Sequence, residues 1–386
     1  MKIPSEITLI KSQLHKKGGL EKYTWQIARD FCLLGIPVTV LTSGVVQPPF
    51  DDPHLKIASL PIGHCLSFLN IMHFDKVCHE YLREHPTPIV FSLDRNRFQT
   101  HIRAGNGVHA AYLQHRSEAE GRIKKLSFAL NPLHQAILSL EKKAFEHPEL
   151  KLLFTNSEMV KQELLRFYRT DPEKIRVVHN GVEWHAMQSS FESWDSQKEI
   201  NIRKLGLDPA AFQLLFVGHN FYRKGLEKLL KALTRLKQDN FQLSIVGKEK
   251  KISYFHLLVE QLGLQGKVFF FGPQQETIPF YQIADCAIIP SVYDPFANVT
   301  VEALAMGVFV ISSKHNGGHE ILTPSNGAVI KSLDDLDSFS HVLKTSLTRS
   351  KSIQSANAIR ESVKHLDFSN QLKIITQTTL NSSHTP

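Results

Sequence analysis

The 386-residue chain has only four cysteines, Cys32, Cys65, Cys78 and Cys286, and no two of them stand in C-x-x-C spacing. That scarcity excludes a disulfide framework and a cysteine-built zinc site, and it fits free thiols in a reducing compartment. No apolar run is long enough to span a bilayer. The first residues, M-K-I-P-S-E, lack the apolar core of a secretory signal. The expectation is therefore a cytoplasmic protein, in which the sequon at Asn298-Val299-Thr300 has no consequence. Disorder is excluded as well, because hydrophobic residues make up 42% and charged residues only 21%. Acidic residues are outnumbered, 37 against 45 Lys and Arg, for a net charge of +8. A basic balance favours an anionic partner without choosing among phosphates, nucleic acid and an acidic membrane face.

The length allows two domains of ordinary size. Short apolar runs alternate with helical periodicity in both halves, which implies two parallel α/β sheets. Ligands of such sheets bind beyond the carboxyl ends of the strands.

The most informative stretch is 285–313. Residues 286–289 form a short apolar run ended by Pro290 and Ser291, the pattern of a buried strand. A loop follows over 292–297, then a short helix over 299–306 with Asn298 as its expected N-cap and Gly307 as its stop. A second buried strand covers 308–311. The loop end and first turn, Phe296, Ala297, Asn298 and Val299, present open N–H groups and the positive end of a helix dipole, a site suited to phosphate. Asp294 precedes this turn and Glu302 lies within the helix. On the residues alone they could equally be a turn former and a surface carboxylate.

Elsewhere, a strand over 7–10 leads to Gly18 and Gly19. They open a helix with Leu20, Tyr23, Ile27, Phe31 and Leu34 on one face. A glycine pair there permits close approach of a ligand to backbone, or only a tight connection. Arg95, Arg97 and Arg103 fall in the polar, loop-like segment D-R-N-R-F-Q-T-H-I-R, which is either solvated or a site for anionic acceptor groups. Gly105, Gly107 and Ala110 satisfy G-x-G-x-x-A without the preceding strand that a dinucleotide fingerprint requires. Residues 121–147 are basic and apolar together. They suit a helix pair broken at Pro132 that covers the sheet, or a surface resting on anionic lipid. Residues 184–210 are polar and aperiodic, an expected interdomain linker. Arg223 and Lys224 stand in the strand-to-helix loop H-N-F-Y-R-K-G, ahead of a face made by Leu226, Leu229, Leu230 and Leu233. The residues by themselves go no further than a two-domain α/β protein with anion-binding helix starts in its second half. A non-catalytic basic binder of membrane or nucleic acid remains the contrasting class.

The stretch D-P-F-A-N-V-T-V-E-A-L-A-M-G resembles the acidic-x7-acidic signature of the retaining, family 4 nucleotide-sugar glycosyltransferases. The resemblance extends over nearly the whole chain, through I-R-V-V-H-N-G-V-E, V-F-F-F-G-P and K-H-N-G-G-H-E-I-L. Most members have Glu where this chain has the shorter Asp294. The segment 94–113 further resembles the bacterial lipopolysaccharide core glucosyltransferases, which add glucose to the first heptose of the inner core. The resemblance implies a GT-B fold, two Rossmann-like domains with parallel sheets facing an interdomain cleft. Its expected bounds are an acceptor domain over 1–183, the linker 184–210, a donor domain over 211–365 and a terminal helix, 366–386, crossing back. It implies a hexosyltransferase that moves glucose from UDP-glucose with retention, or a hexose from GDP-mannose or UDP-galactose, or to another glycan. The acceptor is lipid-linked, peripheral contact with an anionic inner membrane is a possibility, and nucleic acid is not a partner. Catalytic roles fall to Asp294 on the sugar hydroxyls, Glu302 on the ribose hydroxyls and His109 beside the transferred sugar. Arg223 and Lys224 take the diphosphate, Gly272 borders the base, and Gly18 and Gly19 face the donor. No cofactor and no metal are implied, since cationic side chains and a helix terminus carry the charge.

Overall fold

The computed structural model describes residues 4–14, 19–63, 66–120 and 122–382. Gly18 and Cys65, singled out above, lie outside the described residues. The chain forms two compact units, Met1–Val178 with Gln371–Pro386, and His179–Asn370.

The first unit runs β1 (Ile7–Ile10), α1 (Gly19–Leu33), β2 (Val38–Ser43), β3 (Leu55–Leu60), α2 (Ser67–Glu84), β4 (Ile89–Ser92) and β5 (His101–Arg103). It continues with α3 (His109–Glu120), α4 (Arg122–Leu130), α5 (Pro132–Phe145), β6 (Leu152–Thr155), α6 (Glu158–Phe167) and β7 (Ile175–Val177). Its sheet has the order β3-β2-β1-β4-β5-β6-β7, parallel throughout. Strands β1, β2, β4 and β6 are buried along their whole length, as continuous apolar runs in a sheet covered on both faces must be. In α1, Tyr23, Ile27 and Phe31 are buried as the helical spacing predicts. Leu34 instead lies past the helix end and is 52% exposed, because Gly35, at φ +73°, turns the chain there.

The second unit opens with α7 (Gln188–Glu192) and α8 (Trp194–Lys204), followed by β8 (Phe212–Val217), α9 (Leu226–Leu233), β9 (Phe241–Val246), α10 (Ile252–Gln261), β10 (Val268–Gly272) and α11 (Ile278–Ile283). Then come β11 (Cys286–Ile289), α12 (Asn298–Ala305), β12 (Phe309–Ser313), β13 (Gly327–Ile330), α13 (Leu336–Ser346), α14 (Ile353–Glu361) and α15 (Phe368–Ser382), of which α15 runs on into the first unit. The sheet order is β10-β9-β8-β11-β12-β13, again all parallel. All four leucines expected on one face of α9 are fully buried.

Two expectations are corrected. Residues 184–210 are not an irregular linker: they carry two helices, and Trp184, Phe191 and Trp194 are buried in the core of the second unit. Their large apolar side chains are few and widely spaced, so the polar majority hides the buried face. Arg103 is not in a loop. It ends β5, is 2% exposed, and its guanidinium stacks 3.9 Å above the Tyr23 ring, which lets a charged residue occupy a buried strand.

Candidate functional site

In an open parallel sheet the binding crevice forms where the strand order reverses. In the second unit that point lies between β8 and β11, strands that pair directly although a long stretch of sequence separates them. The loops leaving their carboxyl ends are 218–225 and 290–297. The first carries Arg223 and Lys224, the second Asp294. Lys224 Nζ donates to Asp294 Oδ2 at 2.5 Å, and Arg223 Nη1 donates to the same oxygen at 3.4 Å and to the Tyr293 carbonyl at 3.1 Å. The Lys224 and Asp294 side chains are 13% and 10% exposed, so this pair is not a solvated surface contact. Topology alone thus brings two cations and a carboxylate to one point.

Backbone geometry holds the loop in place. Gly225 caps α9 at φ +77°, and a Cβ there would lie 1.8 Å from the Pro290 carbonyl oxygen. Only glycine permits the 218–225 loop to lie that close to the end of β11.

The start of α12 is organised differently from the expectation. Asn298 is the first helical residue, and Ala297 holds the N-cap position without a capping side chain of its own. Asn316, fully buried, steadies the residue before the helix: its Oδ1 accepts from Ala297 N at 2.8 Å and, as the N-cap of the turn over Gly317–Ile321, from Gly318 N at 3.2 Å. The Asn298 side chain is engaged elsewhere, its Oδ1 accepting from Asn180 Nδ2 at 2.8 Å while the same amide donates to the Phe296 carbonyl at 3.1 Å. Among the described residues the N–H groups of Asn298 and Val299 have no partner. The helix end is thus supported from beneath and open at its first turn. Asn298 is exposed and Val299 half-buried, whereas Phe296 and Ala297 are buried and belong to the support.

Glu302 lies one turn into α12, partly exposed, and its Oε2 accepts from the Tyr281 hydroxyl at 2.8 Å. Gly272 ends β10 at the sheet edge, with φ +67° and its carbonyl accepting from Gly247 N at 2.9 Å. Gly19 begins α1 in the first unit and is exposed.

The arginines of the first unit separate. Arg95 Nε donates to Glu141 Oε1 at 2.6 Å and its Nη2 to the Gly107 carbonyl at 2.7 Å. Arg97 is bound to the buried Asp75, through Nε at 2.6 Å and through its backbone N–H at 2.6 Å. Arg103 lies against Tyr23 as described. Three cations read together in sequence therefore do not form one cluster. Glu141, completely buried, is a hub that the sequence did not signal. Beyond Arg95 it accepts from His109 N at 2.8 Å, Ala110 N at 3.2 Å and the Tyr168 hydroxyl at 2.6 Å, and so caps α3. His109 is the first residue of α3, with Nε2 3.1 Å from His134 Nδ1. Burial lowers its pKa to about 4, with Arg95 and His134 adding to the effect and Glu141 opposing it, so the imidazole is neutral near pH 7.

Comparison with known proteins bears on the family and the fold. The model described as Glycosyltransferase Family 4 matches residues 17–184, and that described as Glycosyl transferases group 1 matches residues 197–365. The lipopolysaccharide glucosyltransferase WaaG of Escherichia coli K12 is 25% identical over 339 residues, which is 86% of this chain and 87% of WaaG. An uncharacterized glycosyltransferase of Methanocaldococcus jannaschii is 34% identical over 174 residues, 44% of each chain. Among solved structures, WaaG superposes with a TM-score of 0.76 at 21% identity, covering 97% of this chain and 99% of that one. Anabaena HepE in complex with UDP-glucose gives 0.62 at 16% identity, covering 97% and 98%. These structural likenesses are to two Rossmann-like units with parallel sheets, the GT-B fold.

Proposed function

The chain belongs to family 4 of the glycosyltransferases, and from that premise we propose that it transfers glucose from UDP-glucose, with retention, to a heptose of a lipopolysaccharide inner core. The observation that carries the donor half is the convergence of Arg223 and Lys224 on Asp294 at the switch point of the second sheet. Two cations beside an open helix start suit the diphosphate of a nucleotide sugar. The bond from the sugar C1 to the β-phosphate oxygen breaks, and the charge that grows on that phosphate is met by Lys224, Arg223 and the N–H groups of Asn298 and Val299. The acceptor hydroxyl oxygen bonds to C1 on the same face, and its proton passes to the departing phosphate. Asp294, displaced from Lys224 by the diphosphate, takes the sugar hydroxyls, and Glu302 takes those of the ribose.

The acceptor half is supported by the likeness to WaaG over most of both chains and by the segment 94–113. Arg95, bound on one edge to Glu141 and Gly107, is the arginine of that segment closest to His109 in bonding terms. A lipid-linked acceptor also fits α4, whose Leu126 and Leu130 are 63% and 74% exposed, and the exposed Lys142 and Lys143 of α5. No helix among the described residues is long and apolar enough to cross a membrane, so such contact would be peripheral.

Calorimetry with UDP-glucose, UDP-galactose and GDP-mannose tests the donor. Tight binding of UDP-glucose alone is the expected result, and preference for either of the others replaces the donor while leaving the family intact. Transfer to purified heptose-terminated core lipid, against a panel of other glycans, tests the acceptor; no transfer to the core lipid rejects it.

A further inference from the structure

The Tyr281 hydroxyl, on α11, donates to Glu302 Oε2, on α12, at 2.8 Å. A buried phenol thus ends on a carboxylate of the proposed donor site. Tyr281 is only 1% exposed, and its ring packs in the core of the second unit. Burial and then the Glu302 charge hold the phenol well above the usual tyrosine range, so it keeps its proton and remains a donor.

We propose that Tyr281 is a positioning residue that fixes the Glu302 carboxylate for the hydroxyls of a nucleoside ribose, an inference that rests on the reading of Glu302 given above. A glutamate one turn into a helix has several rotamers, and restricting it costs conformational entropy with each ligand bound. A buried phenol on a neighbouring helix removes that cost beforehand, since Tyr281 is held by packing. The alternative is a tie that only joins α11 to α12, and it makes a different prediction.

The experiment measures affinity for UDP and 2′-deoxy-UDP, and for GDP and 2′-deoxy-GDP, by calorimetry, using whichever pair binds more tightly. Wild type should favour the ribonucleotide by roughly 10- to 100-fold, the loss expected for one hydrogen bond to a charged group. Tyr281→Phe keeps the ring and removes the donor. It should reduce that preference to within about threefold while leaving affinity for the deoxynucleotide unchanged. Tyr281→Met, which also lacks the donor, should shift the ratio in the same direction and decides the matter if Tyr281→Phe fails to fold. Full retention of the ratio in both variants overturns the inference, as does an equal loss for both nucleotides, which marks a purely structural tie. A wild type without ribose preference, or binding neither nucleotide, overturns the reading of Glu302 and this inference with it.

Discussion

Lys224 Nζ lies 2.5 Å from Asp294 Oδ2, and the two residues stand on loops that leave adjacent parallel strands, β8 and β11. A partly buried pair of this kind is unlike an exposed salt bridge, because both groups have given up most of their hydration. It keeps each side chain in place until something else supplies the missing charge. On the proposed mechanism a diphosphate does so for the lysine, while sugar hydroxyls offer the aspartate hydrogen bonds.

Lys224→Ala is expected to lower kcat/KM by about 30- to 1000-fold, corresponding to about 2–4 kcal/mol of transition-state stabilisation. Arg223 still reaches Asp294, so the fold should persist, with a thermal midpoint close to that of wild type. Steady-state kinetics beside a melting curve make the check. Activity at the wild-type level would remove Lys224 from the diphosphate.

Transfer should survive EDTA. On the proposed mechanism the charge on the leaving diphosphate is met by Arg223, Lys224 and backbone N–H groups, which a chelator does not touch. An assay with and without EDTA suffices. Complete loss, restored by magnesium, would require a different design.

Gly225→Ala should destabilise the protein by more than the roughly 1–3 kcal/mol that a left-handed non-glycine residue costs. The added methyl would meet the Pro290 carbonyl at 1.8 Å, so the Arg223–Lys224 loop has to move away from β11. Both the melting midpoint and the donor affinity should fall. A variant with neither changed would show that this approach is not needed.

His109 makes stability depend on pH. Its folded pKa of about 4 lies below its ordinary value, so between about 4 and 6.5 the unfolded chain binds the proton that the folded chain excludes. Stability from this group is complete above about pH 6.5 and declines as pH falls toward 4. Arg95, Glu141 and His134 all face the ring. Denaturant unfolding at pH 5 and pH 7 should show a smaller difference for His109→Gln than for wild type. His101, held at about 3 chiefly by burial, contributes the same sign in both proteins. An unchanged difference would mean that His109 titrates normally.

How much of this was legible beforehand depended on range along the chain. The runs that became β1 and β11 appear with their ends in the observed positions, because a buried parallel strand is a largely apolar run between turn residues. The four buried leucines of α9 follow from helical spacing alone. The short β5 did not show, since its residues His101 and Arg103 are polar and are buried through partners distant in sequence: His101 against Ser382 and Arg103 against Tyr23. The helices of 184–210 were hidden for a related reason, their burial resting on a few large side chains.

The amino-acid sequence by itself determined the α/β class, the family and the residue types at the proposed donor site, because periodicity, turn residues and short motifs are local. Only the tertiary structure decided which partners those residues have. Asn316 bonds the Ala297 N–H ahead of α12; Glu141 joins Arg95 to the start of α3; Tyr281 donates to Glu302. Each of these bonds joins positions brought together by sheet order and helix packing, and none leaves a period or a spacing in the chain from which it could be read.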